Sequence, residues 1–195
     1  MPDIEKKLEI LYELLIDNSD VFIAELKELI LDPTKINNTN KFASLLVELK
    51  NHIFINPLLE KIASADKGDV WLTDFLYAAI NLLEECSEDD VFDVPENLIN
   101  KLEDWILNNK GELSWKAANL LKFYESDLAE KIQLKKLEER GDFFLTYMEC
   151  ILGLLRYNRD KYIGLVEQIA IDQTRDEKLR EFCSDLINND PPNNR

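Results

Sequence analysis

The sequence predicts an all-α fold: a right-handed α-solenoid of about five helical hairpins with one further helix capping its C-terminal end. Three observations predict it. Apolar residues recur at helical spacing along nearly the whole chain, as in Ile4, Leu8, Leu11 and Leu15 or Phe144, Tyr147, Met148, Ile151 and Leu155, and no stretch alternates as a strand would. Five Gly and six Pro among 195 residues leave little material for β turns. The chain also matches itself. Leu14-Leu15-Ile16-Asp17-Asn18-Ser19-Asp20-Val21-Phe22-Ile23-Ala24 aligns without a gap with Leu154-Leu155-Arg156-Tyr157-Asn158-Arg159-Asp160-Lys161-Tyr162-Ile163-Gly164. Intermediate copies appear as Ser44-Leu45-Leu46, Asn81-Leu82-Leu83 and Asn119-Leu120-Leu121, so the Leu pairs follow one another at 31, 37, 38 and 34 residues.

In each copy the Leu pair ends a first helix, Asn or Asp makes the turn and caps the next, and an aromatic-Ile pair starts the buried face of the second helix. The expected pairs are 3–17 with 19–31, 39–52 with 57–64, 69–85 with 95–108, 113–124 with 127–139, and 142–157 with 160–172. Turn-forming residues separate them at Asp17-Asn18, Asp32-Pro33, Asn56-Pro57, Asp66-Lys67-Gly68, Asn109-Lys110-Gly111, Arg140-Gly141 and Asn158-Arg159. Start signals support several: Ser19 or Asp20 before Val21, Pro95 followed by Glu96, and Ser114 ahead of Trp115. A last helix, 175–187, carries Arg175, Asp176, Glu177, Lys178, Arg180 and Glu181, the polar outer face that a terminal cap needs. Residues 1–187 read as a single helical-repeat domain and 188–195 as a polar tail.

Through the Leu pair, the Asn/Asp turn and the second-helix pattern, the chain resembles the HEAT/armadillo class of helical-hairpin repeats. It lacks their regular Pro in the first helix and regular Asp and Arg in the second. The resemblance covers nearly the whole chain and implies a binding surface, with no enzymatic activity and no cofactor. An adaptor holding a peptide or helix in a concave groove is one form of that implication.

The residue inventory is poor in catalytic motifs. The single His, His52, stands near a helix end, where its charge favours the dipole, and Glu48 offers it one i,i+4 partner without an HExxH motif. No GxGxxG or GxxxxGK[ST] is present. Cys86, Cys150 and Cys183 are odd in number and lack CxxC spacing, which reads as small apolar core residues. Asp66-Lys67-Gly68-Asp69 lacks the alternating ligands and closing Glu of a calcium loop. No signal-peptide core follows Met1 and no window approaches the ~20 apolar residues of a membrane span, so the expected location is the cytoplasm. An enzyme working through carboxylates alone, with Mg²⁺, is the remaining catalytic reading, and no particular acid pair stands out for it.

Charge is the sharper signal. The formal charge is −16 at pH 7, which disfavours nucleic acid and anionic membrane as direct ligands. Residues 68–100 hold nine acids and no base, while 1–67 and 101–195 are net −4 and −3. Seven of those acids, Glu84, Glu85, Glu88, Asp89, Asp90, Asp93 and Glu96, fall within thirteen residues. Asp93 and Glu96 suit a helix N-terminus, but Glu84 and Glu85 lie toward a helix C-terminus, where the dipole costs anions a few tenths to ~1 kcal/mol each. Such a segment either solvates a loop or steers a basic protein into contact, and Trp side chains are the usual anchors of such contacts. Trp71 and Trp115 read as core positions of first helices; Trp105, beside Asp104, is the expected exposed anchor. In size, acidity and helical repeats the chain is similar to immunity proteins of polymorphic bacterial toxins. That likeness implies a basic, nuclease-type toxin domain as a 1:1 protein partner, with no small-molecule substrate.

Overall fold

Helical periodicity is realised throughout: the computed structural model describes residues 19–86 and 92–188, and among them the chain forms nine α-helices, two 3-10 turns and no strand. The helices are α1 (Ser19–Leu31), α2 (Thr39–Leu49), α3 (Ile55–Ser64), α4 (Leu72–Glu84) and α5 (Leu98–Asn108). They continue with α6 (Glu112–Leu121), α7 (Asp127–Glu138), α8 (Phe144–Ile171) and α9 (Glu177–Asn188). The first half of the expected pair 3–17 with 19–31, and the tail from residue 189, lie outside the described residues.

The caps explain where helices start. Asn38 accepts a hydrogen bond from the Lys41 amide at the head of α2, and Ser126 accepts one from the Ala129 amide at the head of α7. Asn158 has φ −160° and ψ 93°, so it divides the 28-residue helical segment α8 into two helices, and its side chain caps the second by accepting from the Lys161 amide at 3.0 Å. The expected break between 157 and 160 therefore falls on one capping residue. Elsewhere the boundaries move. Helix α2 stops at Leu49 because Lys50 turns left-handed (φ 48°), and α3 begins at Ile55, two residues ahead of Pro57, since a first-turn proline sacrifices no intrahelical bond. Pro95 and Glu96 form a turn ahead of α5, with the Leu98 amide donating to the Pro95 carbonyl. Ser114 is no N-cap: it is buried within the first turn of α6, and Gly111 holds the cap position with φ 72°.

Four of the five Leu pairs lie among the described residues. Leu82-Leu83 and Leu120-Leu121 occupy the last turns of α4 and α6, Leu45-Leu46 lies toward the end of α2, and Leu154-Leu155 precedes the break in α8. The 140-residue self-match is visible as shared burial: Phe22 and Tyr162 are buried, as are Leu26 and Val166, while Ala24 and Gly164 face solvent. Packing alternates along the chain. Helices α2, α4, α6 and α8 touch in succession, as do α1, α3, α5 and α7, with α7 also against α8 and α9 against α8. Side-chain hydrogen bonds repeat the same step: Thr39 to Asp74, Asn97 to the Ala63 carbonyl, Trp115 to Glu149 and Tyr157 to Asp127 join residues 30 to 35 apart. One apolar core, from Phe22 to Cys183, includes residues of all nine helices.

A buried polar knot pins the later turns together. Lys136, at the end of α7, and Asp142, ahead of α8, have side chains 0% and 1% exposed and pair at 2.7 Å. Asp142 also accepts from the Gly111 and Phe143 amides, at 2.9 and 2.7 Å, and lies 3.0 Å from the Ser114 hydroxyl. Glu139 adds a second carboxylate 3.0 Å from Lys136. Nearby, Arg175 donates to the Leu137 and Glu139 carbonyls and so satisfies acceptors at the C-terminal end of α7. Between α7 and α8 the approach is close: a Cβ on Gly153 would lie 2.2 Å from the buried Gln133 amide nitrogen. Gly153→Ala must push the buried Gln133 amide aside; overpacking of about 1–3 kcal/mol, less the roughly 1 kcal/mol that Ala gains over Gly inside a helix, leaves an expected net loss of up to about 2 kcal/mol, read as a lower urea midpoint.

Candidate partner-binding surface

The acidic segment starts on the last turn of α4 and runs to the turn before α5. Glu88, Asp89 and Asp90 lie outside the described residues. Glu84 and Glu85 are where a helix dipole disfavours them, and the structure supplies the compensation. The Lys122 ammonium, just past α6, reaches Glu84 at 3.2 Å; the Lys50 ammonium, just past α2, reaches Glu85 at 3.2 Å. Two lysines, from the ends of α2 and α6, thus converge on the carboxyl end of α4, and each cation also suits the C-terminus it follows. Lys122 further pairs with Glu149 of α8 at 3.1 Å, and Glu149 accepts from Asn119 at 3.1 Å and from the Trp115 indole N–H at 3.4 Å. A polar chain from Glu84 through Lys122 to Glu149 therefore crosses three neighbouring helices.

The signal for this pairing was in the sequence. Glu84 and Lys122 each follow directly on a Leu pair and carry opposite charge. Helices α4 and α6 pack against each other, so the two charges meet and form a bridge.

The other acids of the segment are differently placed. Asp93 is tied to the first turn of α3: its amide donates to the Asn56 side chain at 3.3 Å, and the Asn56 amide group donates back to its carboxylate at 3.4 Å. Both Asp93 and Glu96 are exposed, and neither forms an ion pair among the described residues. Asp104 is also exposed and accepts from Asn108 at 2.8 Å within α5. Trp105 is a correction: it is 1% exposed and packed in the core. Leu98, Leu102, Trp105 and Ile106 recur at i, i+4, i+7 and i+8 and form the buried stripe of α5, which turns the neighbouring Asp104 outward. An indole on that stripe cannot anchor a partner. Trp71 is buried against Phe75, ring centroids 5.1 Å apart, and Trp115 is half-buried, edge-on to Phe143.

The remaining reactive groups are bound into the fold. Cys150 and Cys183 are buried, and burial pushes both thiols up, that of Cys183 to about 11. Cys86 is half-buried, and His52 opens the 3-10 turn His52–Phe54. Among the described residues, no group of three or more His, Cys, Asp or Glu is placed to hold a metal ion, and no helix is long and apolar enough to cross a membrane. No protein-family model, curated protein or solved structure matches this chain.

Proposed function

We propose that this protein is a non-enzymatic binding module, a HEAT-like right-handed solenoid of about five hairpins with a C-terminal cap, which docks a basic protein through its acidic middle segment. Its best-fitting role is that of an immunity protein that neutralises a basic, nuclease-type bacterial toxin domain in a 1:1 complex in the cytoplasm. The observation carrying this reading is the concentration of charge: nine acids and no base in residues 68–100. Local negative potential of this kind speeds encounter with a cationic partner roughly 10- to 1000-fold and rejects polyanions. The alternation of helix contacts supports the solenoid, because stacked hairpins bring first helices against first helices and second against second.

The pairings refine which acids carry the docking. Glu84 and Glu85 already hold Lys122 and Lys50, so among the described acids of the segment and its flank the charge left for a partner is that of Asp93, Glu96 and Asp104. The test is titration against a basic toxin domain encoded beside this protein, at two ionic strengths. The expected outcome is a 1:1 complex that weakens as salt rises, with Asp93→Lys/Glu96→Lys losing at least about tenfold in affinity, mostly through association rate. Absence of a complex at low salt, or an affinity indifferent to both salt and the double reversal, would overturn the proposal.

A further inference from the structure

The bend inside α8 is made by one residue. Asn158 alone leaves the helical region within those 28 residues, and its φ of −160° is extended backbone that any residue adopts. No Gly or Pro lies between Leu154 and Ile163, so nothing in the covalent chain prevents residues 144–171 from forming one straight helix. The side-chain pattern also runs on through the bend. Ile151, Leu155, Asn158, Tyr162, Val166 and Ile169 recur at helical spacing, and all are buried except Asn158, which is exposed. Straightened, they would line one face, with Asn158 as its single polar member. The connections α2–α3, α4–α5 and α6–α7 are held by more than one residue. Lys50 turns left-handed at φ 48°, Pro95 lacks the N–H that a helix interior needs, and residues 122–126 separate α6 from α7.

Beyond Asn158 lies a unit with its own contacts to the body of the molecule. Lys161 and Tyr162 pair with Glu130 of α7, and Asp172 meets Arg140 at 3.5 Å. Arg175 donates to the Leu137 and Glu139 carbonyls, and the Lys178 ammonium stands 5.2 Å from the centre of the Phe144 ring. Tyr162, Val166, Leu179 and Cys183 belong to the common core. The pairings all join residues 159–188 to residues before 158, so the body of a second copy offers the same partners.

We infer that Asn158 is an exchange hinge: with α8 straight, residues 159–188 leave their own body and dock at the same place on a second copy of this chain, which returns its own unit in a reciprocal dimer. The docked contacts are the same in both forms, so the two differ chiefly at the hinge. In the bent form the Asn158 side chain accepts from the Lys161 amide at 3.0 Å; in the straight form that amide donates to the Tyr157 carbonyl, as in any uninterrupted helix. The cap made by Asn158 therefore sets the balance between monomer and exchanged dimer. The inference is independent of the basic-partner reading.

Asn158→Leu removes the cap and completes the apolar stripe. Annealed at high concentration just below its unfolding midpoint and then cooled, this chain is expected to hold at least about tenfold more dimer than the parent by size exclusion with light scattering, since each dimer contains two hinges. A monomeric Asn158→Leu chain with the parent's circular dichroism would overturn the hinge. A second experiment leaves Asn158 in place. Glu130→Lys and Lys161→Glu each set like charges together within a monomer, whereas the mixed exchanged dimer of the two variants has opposite charges at both contacts. Annealed together, the variants are expected to form a 1:1 mixed dimer in excess of either self-dimer by native mass spectrometry. A mixture that stays monomeric, or that pairs at random, would overturn the exchange of residues 159–188.

Discussion

Asp142→Asn is expected to destabilise the fold by about 3 kcal/mol, within the 3–5 kcal/mol that follows when one member of a buried ion pair loses its charge. The substitution keeps the shape and, through Oδ1, the acceptor for the Gly111 and Phe143 amides, but it replaces Oδ2 by an NH2 facing the Lys136 ammonium, so the loss combines the charge with the hydrogen bond from Lys136. Lys136, fully buried, is left with Glu139 alone, which is 38% exposed. For a chain of this size, each kcal/mol moves the thermal midpoint by roughly 2–4 °C, so a fall of about 6–12 °C is expected by calorimetry. Lys136→Met in the same chain should restore most of it, because a buried pair replaced as a whole costs little. A single variant as stable as the parent would mean that the pair contributes no more than a surface contact.

The same pair sets a pH dependence. Desolvation would raise the Asp142 carboxyl, but hydrogen bonds from Lys136, the Gly111 and Phe143 amides and Ser114 outweigh it and hold the group below the usual carboxylate range. Desolvation would lower the Lys136 ammonium, and Asp142 and Glu139 outweigh that too, holding it above the ordinary lysine value. A carboxyl lowered in the folded state stabilises above its unfolded pKa of about 3.9 and loses that contribution as pH falls through the folded value. A raised ammonium stabilises below its unfolded value of about 10.4 and loses it as pH rises through the folded one. The pair therefore contributes fully between about pH 4 and 10. In Asp142→Asn its share of the acid limb should disappear from urea midpoints measured across pH.

Trp105→Ala should cost about 3–5 kcal/mol, the range for removing a large aromatic from a packed core. The measurement that decides is equilibrium unfolding beside partner binding. A core indole lowers the urea midpoint strongly, and binding by the molecules that remain folded is unchanged. A surface anchor would behave oppositely, with stability within about 0.5 kcal/mol of the parent and affinity lost. The second pattern would contradict the packing of α5.

The exposure expected of Trp105 fails for a definite reason. Its charged neighbour Asp104 is no sign of exposure, because adjacent residues on a helix point about 100° apart and say little about one another. The i, i+4, i+7, i+8 stripe of Leu98, Leu102, Trp105 and Ile106 was the better guide. Glu84 and Glu85 carry the converse lesson. Their misfit with the dipole was legible and real, but its resolution lay 38 and 35 residues away along the chain, in Lys122 and Lys50.

By itself the sequence determined that this chain is helical, where most of its helices lie, and where its negative charge is concentrated. Those properties rest on local periods, caps and counts. Asn158, for example, ends one helix and starts the next with its own side chain. Tertiary structure alone decided that Glu84 and Glu85 are paired with lysines, that Trp105 is core, and that Lys136 and Asp142 are buried together. Each of these depends on what a neighbouring helix places opposite a residue, and the spacing of that neighbour is set by packing.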